Sequence, residues 1–165
     1  MHFRRTFLAL LGALSLASCA SPPPSQQPAM ITLQRTVCFG FCPAYTVSIS
    51  SSGEVIYRGE RFVNVAGEQR AQIPAEDVDR LLQRFDAIGF ERLRDEYRAQ
   101  VTDLPTTTIT LERNGRAKRV VDYGGLSAGM PEAVRELQDE IDRVAGTERW
   151  VLRDGQPVRT PNPEH

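Results

Sequence analysis

Apolar and polar residues alternate with a period of two over Ile31-Thr32-Leu33-Gln34-Arg35 and over Tyr45-Thr46-Val47-Ser48-Ile49-Ser50, where Tyr45, Val47 and Ile49 share one side. That period predicts two half-buried strands. Ser51-Ser52-Gly53 supplies a turn, and Val55 and Tyr57 mark a return strand over 54–58. A further strand is expected over 61–65, with a short partner over 70–73. The period then becomes helical. Val78, Leu81, Leu82, Phe85 and Ile88 recur on one stripe behind Pro74-Ala75-Glu76-Asp77, so a helix is expected over 75–88, its early acids facing the positive end of the dipole. Gly89 should stop it, with Phe90 folding back onto Phe85. The segments 106–113 and 117–123 flank Asn114-Gly115, a pair that favours a tight type I′ hairpin. Pro131, Val134, Leu137, Ile141 and Val144 predict a second amphipathic helix ending at Gly146. The order βββ-α-ββ-α predicts an α+β fold, an antiparallel sheet of about five strands with two amphipathic helices on one face.

The first 18 residues pair basic Arg4 and Arg5 with an apolar run from Phe7 to Leu16 and a small-residue end, the pattern of a secretory signal peptide. The run is about half the roughly 20 residues that a membrane-spanning helix requires. Leu16-Ala17-Ser18-Cys19 resembles the lipobox of bacterial lipoproteins, which implies a diacylated Cys19 as the mature start, and Ala20 in place of Asp implies the outer membrane of the bacterial envelope. Each buried methylene contributes about 0.8 kcal/mol, so two or three acyl chains anchor durably. Residues 19–30 read as a Pro-rich tether, and Ala20 to Ala29 would span about 30 Å when extended. The chain thus divides into a signal (1–18), a tether (19–30), one α+β domain (31–152) and a mobile C-terminal tail (153–165).

Composition narrows function by exclusion. With 20 basic and 21 acidic residues among 165, no basic surface for nucleic acid is implied. Removal of 1–18 leaves 18 basic and 21 acidic residues, a net charge of −3. Of the two histidines, His2 leaves with the signal and His165 closes a Pro-rich tail. Ser-His-Asp and Cys-His catalysis need an imidazole held against a nucleophile, and catalytic zinc draws on several histidines. Neither chemistry is expected, and no phosphate loop or calcium loop pattern is present. No metal and no cofactor are predicted.

Cys38 and Cys42 remain within an exported domain, where an oxidising compartment favours a disulfide. The ends of a five-residue segment must approach within about 7 Å. The chain therefore turns sharply through Phe39-Gly40-Phe41, with Gly40 the residue suited to positive φ. The familiar exported thiol motif is CxxC at a helix N-terminus, so CxxxC between strands favours a structural staple over a redox-active pair. Phe39, Gly40, Phe41 and nearby Tyr45 form a candidate binding loop on this staple, while Asp103 and Asp122 are the candidate carboxylates if the domain hydrolyses a bond. The leading expectation is a non-catalytic, lipid-anchored envelope module with a protein or cell-wall partner. A carboxylate-based hydrolase and a thiol-disulfide protein are the alternatives.

Cys38-Phe39-Gly40-Phe41-Cys42-Pro43-Ala44-Tyr45, then Gly53-Glu54-Val55-Ile56-Tyr57, then Thr102-Asp103-Leu104-Pro105-Thr106 together resemble the bacterial family termed domain of unknown function 6438, over residues 31–150. The resemblance implies an exported, often lipid-anchored domain with a cysteine pair. It implies no catalytic residues.

Overall fold

In the computed structural model, which describes residues 28–160, the alternating segments form β1 (Ala29–Arg35), β2 (Ala44–Ser50), β3 (Glu54–Arg61) and β4 (Gly67–Gln72), followed by α1 (Ala75–Ala87). A 3₁₀ turn leads to β5 (Glu96–Arg98), then β6 (Thr107–Arg113) and β7 (Arg116–Tyr123). After a second 3₁₀ turn at Gly125–Ala128 come α2 (Glu132–Ala145), the short α3 (Glu148–Val151), and a two-stranded hairpin of β8 (Leu152–Arg153) and β9 (Gln156–Pro157). The signal, Cys19 and most of the tether lie outside the described residues, as does His165. Among the described residues no helix is long and apolar enough to cross a membrane.

The main sheet corrects the expected architecture. It has seven strands in the order β4-β3-β2-β1-β6-β7-β5, and it is mixed, because β5 runs parallel to β7. The five-strand antiparallel sheet with two helices is therefore replaced by a larger mixed sheet, a second small sheet and an additional short helix. The causes are local. The strand expected over 61–65 breaks at Phe62, which takes a φ of 56° and sits buried next to buried Val63, so the alternation fails there. The edge strand β4 begins only at Gly67. Three-residue β5, around buried Tyr97, is too short to show a period. The stretch read as a mobile tail continues as the β8–β9 hairpin, beyond which Val158 is buried.

One face of the sheet carries Ile31, Leu33, Val47, Ile49, Ile109 and Val120, all essentially inaccessible, and the helix stripes Val78, Leu81, Phe85 and Val134, Leu137, Ile141 close over it. Phe90 folds back with its ring edge-on to Phe85, centroids 4.8 Å apart. The β6–β7 hairpin turns through Asn114 and Gly115 at φ 55° and 71°, as a type I′ turn requires. Opposite the helices, Thr32 and Ser48 hydrogen-bond side chain to side chain, and Arg58, Glu68, Arg70 and Glu54 form a charged ladder over β3 and β4. Chain direction fixes the two ends of the sheet: β1 enters at Ala29, beside the β6–β7 hairpin, and leaves at Arg35, beside the start of β6.

Candidate functional site

The segment leaving β1 is tied before it turns. Thr36 N–H donates to the Thr106 carbonyl at 3.0 Å, and Thr106 N–H returns a bond to the Thr36 hydroxyl. The chain then closes on itself: Cys38 and Cys42 are disulfide-bonded with Cα atoms 5.5 Å apart. Gly40 N–H donates to the Cys38 carbonyl at 2.9 Å, a three-residue turn centred on Phe39. Gly40 itself is not at positive φ, so the expected conformational reason for glycine there is replaced by this tighter turn. Phe39 N–H is anchored on the Asp103 carbonyl, and the residue as a whole stays 90% exposed. Phe41 is 54% exposed and rests edge-on against Phe62 at 5.7 Å between centroids.

The loop over 99–106 lies against the stapled turn. Within it Asp103 takes a φ of 70°, and Leu104 N–H donates to the Tyr123 hydroxyl. Val101 and Leu104 flank Gly124, where an added Cβ would meet Leu104 at 3.0 Å. Leu126 follows in the adjoining 3₁₀ turn. These loops hold every exposed large apolar side chain among the described residues: Val37, Phe39, Phe41, Val101, Leu104 and Leu126. All six stand at the end of the sheet where β1 leaves, the end opposite the entry at Ala29. Sequence reasoning found Phe39 and Phe41 and missed the four aliphatic residues, because single apolar residues in Gly- and Pro-rich loops carry no period that separates a surface contact from a core plug.

The other candidate residues divide. Tyr45 faces the core on β2 rather than joining the loop surface. Its hydroxyl donates to Asp142 Oδ1 at 2.7 Å, and burial together with the Asp142 carboxylate pushes its ionisation far above the ordinary phenol range. Asp142 Oδ1 also accepts from Thr147, and its Oδ2 accepts from Arg35 Nε and Nη2. A carboxylate holding four donors is a structural node with little capacity left to take a proton from substrate.

Asp122 and Asp103 have separate surroundings. Asp122 is buried and accepts from Gly125 N–H, Arg135 and Gln138 at 2.7–3.0 Å. Asp103 is exposed and accepts from the hydroxyl of Thr102. Among the described residues no three His, Cys, Asp or Glu side chains gather as a metal ion requires. What the loops at this end of the domain present is exposed apolar side chains on a disulfide-closed frame. A family model described as Domain of unknown function (DUF6438) matches residues 29–145 of the chain. No curated protein matches it.

Proposed function

Taking as premise that the chain belongs to the family described as Domain of unknown function (DUF6438), we propose that it is a non-catalytic, lipid-anchored module of the bacterial outer membrane that docks a partner protein on its apolar loop rim. One observation carries this reading: the six exposed large apolar side chains of the described domain all fall on loops at one end. Soluble surfaces scatter such residues, and their concentration marks an interaction site. The disulfide and the backbone bonds from Thr36 and Phe39 hold the loops in place before binding, which lowers the ordering cost of association.

A protein partner is favoured over a cell-wall glycan by the character of the rim. Val37, Val101, Leu104 and Leu126 are aliphatic, and hydrated sugar hydroxyls gain little from them. The position of the rim also suits a tethered protein, because an anchor at Cys19 would join the domain at the opposite end and leave the loops unobstructed.

The test places a photoreactive residue at Phe39 and, in a parallel strain, at exposed Ser52 on the entry end. Irradiation of intact cells is expected to capture one discrete protein from position 39 and not from position 52. Leu104→Asp in the position-39 strain should abolish that capture without changing the melting temperature. Equal capture from both positions, capture of glycan alone, or capture insensitive to Leu104→Asp would overturn the proposal.

A further inference from the structure

The edge strand β4 has β3 on one side and, among the described residues, no strand on the other. Its outward-facing backbone groups can be assigned. Ile73 N–H donates to the Gly53 carbonyl in register with Gly59↔Gly67 and Tyr57↔Gln69, so the odd-numbered residues of β4 bond inward to β3. Glu68, Arg70 and Gln72 therefore turn their N–H and C=O groups to the free edge, a template for another strand.

We infer that β4 pairs with β4 of a second copy, antiparallel and centred on Gln69, so that two seven-stranded sheets run on as one. Backbone parity restricts the choice, because only even residues can exchange bonds with even residues across the new seam. A two-fold centred on Glu68 sets Glu68 against itself, and one centred on Arg70 sets Arg70 against itself. The two-fold centred on Gln69 sets Glu68 opposite Arg70 of the second copy and Arg70 opposite its Glu68, each as a doubly hydrogen-bonded pair. Like charges directly opposite destabilise a sheet and unlike charges stabilise it, which favours this register over those two and over one centred on Ala71, where Arg70 would face uncharged Gln72.

The neighbouring residues agree with that selection. Arg58 lies directly across β3 from Glu68 and bonds it at 2.9 Å. The row through the seam would then read Arg58, Glu68 and the second copy's Arg70, with signs alternating. On the helix-side face, small Gly67 comes opposite small Ala71, and Gln69 meets Gln69 on the axis. The far edge of each sheet is β5, three residues long, too short to propagate the seam. The assembly therefore closes at two copies.

The experiment uses the full chain in detergent sufficient to disperse its N-terminal segment, with sedimentation velocity as readout and thermal melts as a folding control. Wild type is expected to dimerise. Glu68→Arg and Arg70→Glu, each creating like-charge pairs across the seam, should each weaken association by at least about tenfold. The double exchange Glu68→Arg/Arg70→Glu should restore it, since opposite charges again face each other. Mild oxidation provides a positional check, because residues in a non-hydrogen-bonded pair bring Cα atoms to about 4.5 Å, within disulfide reach. Gln69→Cys should form a covalent dimer that Ala71→Cys does not. A monomeric wild type, single variants that associate as wild type does, a double exchange that fails to rescue, or a dimer that Gln69→Cys does not lock would each overturn the inference.

Discussion

Tyr45 on β2 and Asp142 in the last turns of α2, 97 residues apart in the chain, are joined by a 2.7 Å hydrogen bond. The same carboxylate takes Thr147 and both Nε and Nη2 of Arg35, so one side chain fastens β1, β2 and the turn after α2. Asp142→Ala removes the acceptor from all three partners and leaves the half-buried Arg35 guanidinium without its principal counter-charge. Deleting one member of such a pair is expected to cost about 3 kcal/mol, read as a lower urea midpoint at unchanged slope. Asp139, also within reach of Arg35 but 72% exposed, serves as control. Its alanine variant should lose at most about 0.5 kcal/mol.

Burial first, and the Asp142 carboxylate second, raise the ionisation of both Tyr45 and Tyr57 above the ordinary phenol range. A group with a raised folded pKa stabilises fully below its unfolded value and loses that contribution as pH climbs toward the folded one. Stability should therefore hold through neutrality and decline above about pH 10. Tyr57→Phe separates the effect from general alkaline repulsion. Its hydroxyl makes one long bond, 3.3 Å to the Val65 carbonyl, so the variant should lose roughly 0.5 kcal/mol at pH 7. It should also show a shallower decline when denaturation is repeated between about pH 9 and 11.5. Parallel curves for the two proteins would refute the assignment.

The elements legible in the sequence are those in which one face is apolar and the other polar. The strands at Ile31–Leu33 and Tyr45–Ile49 and both long helices write that asymmetry into their spacing. Strand β4 does so only in part: its second half falls within the partner expected over 70–73, whereas Gly67, Glu68 and Gln69 carry no apolar side chain to mark its start. Asp142 was hidden for a related reason. On a helical wheel it is one more acid beside Asp139 and Glu140, and only tertiary structure brings Arg35 and Tyr45 to it. The rim was half legible: the cysteine spacing exposes Phe39 and Phe41, but nothing local ties Val101, Leu104 or Leu126 to them.

Two glycines that look alike in sequence should behave in opposite ways. Gly40 lies outside the positive-φ region, and a Cβ there would meet its nearest neighbour, Cys38 Sγ, at 3.6 Å, an ordinary contact. Gly40→Ala should change stability by no more than about 0.5 kcal/mol. Gly59, inside β3, has the Val65 carbonyl oxygen 2.2 Å and the Tyr57 hydroxyl 2.6 Å from where its Cβ would stand. Backbone cannot yield as a flexible side chain does, so Gly59→Ala should destabilise by more than about 2 kcal/mol. Thermal melts of the two variants side by side decide the matter, and equal losses would contradict the packing described.

The disulfide should govern the apex of its loop more than the fold. It closes only five residues, and the chain-entropy relation assigns such a loop about 2 kcal/mol. The base of the loop is held independently by the paired bonds of Thr36 and Thr106. Cys38→Ser/Cys42→Ser should therefore fold cooperatively with an unfolding free energy lowered by about that amount. Hydrogen exchange resolves where the loss falls. The Phe39 amide, at 3.2 Å from the Asp103 carbonyl, depends on the turn geometry that the staple maintains and should exchange faster in the double variant. The Thr36 amide, upstream of the staple and bonded at 3.0 Å, should keep its protection after correction for global stability. Loss of protection at both amides would mean that the disulfide organises the whole junction between the two loops, and the frame that presents Phe39 would then depend on the oxidised state.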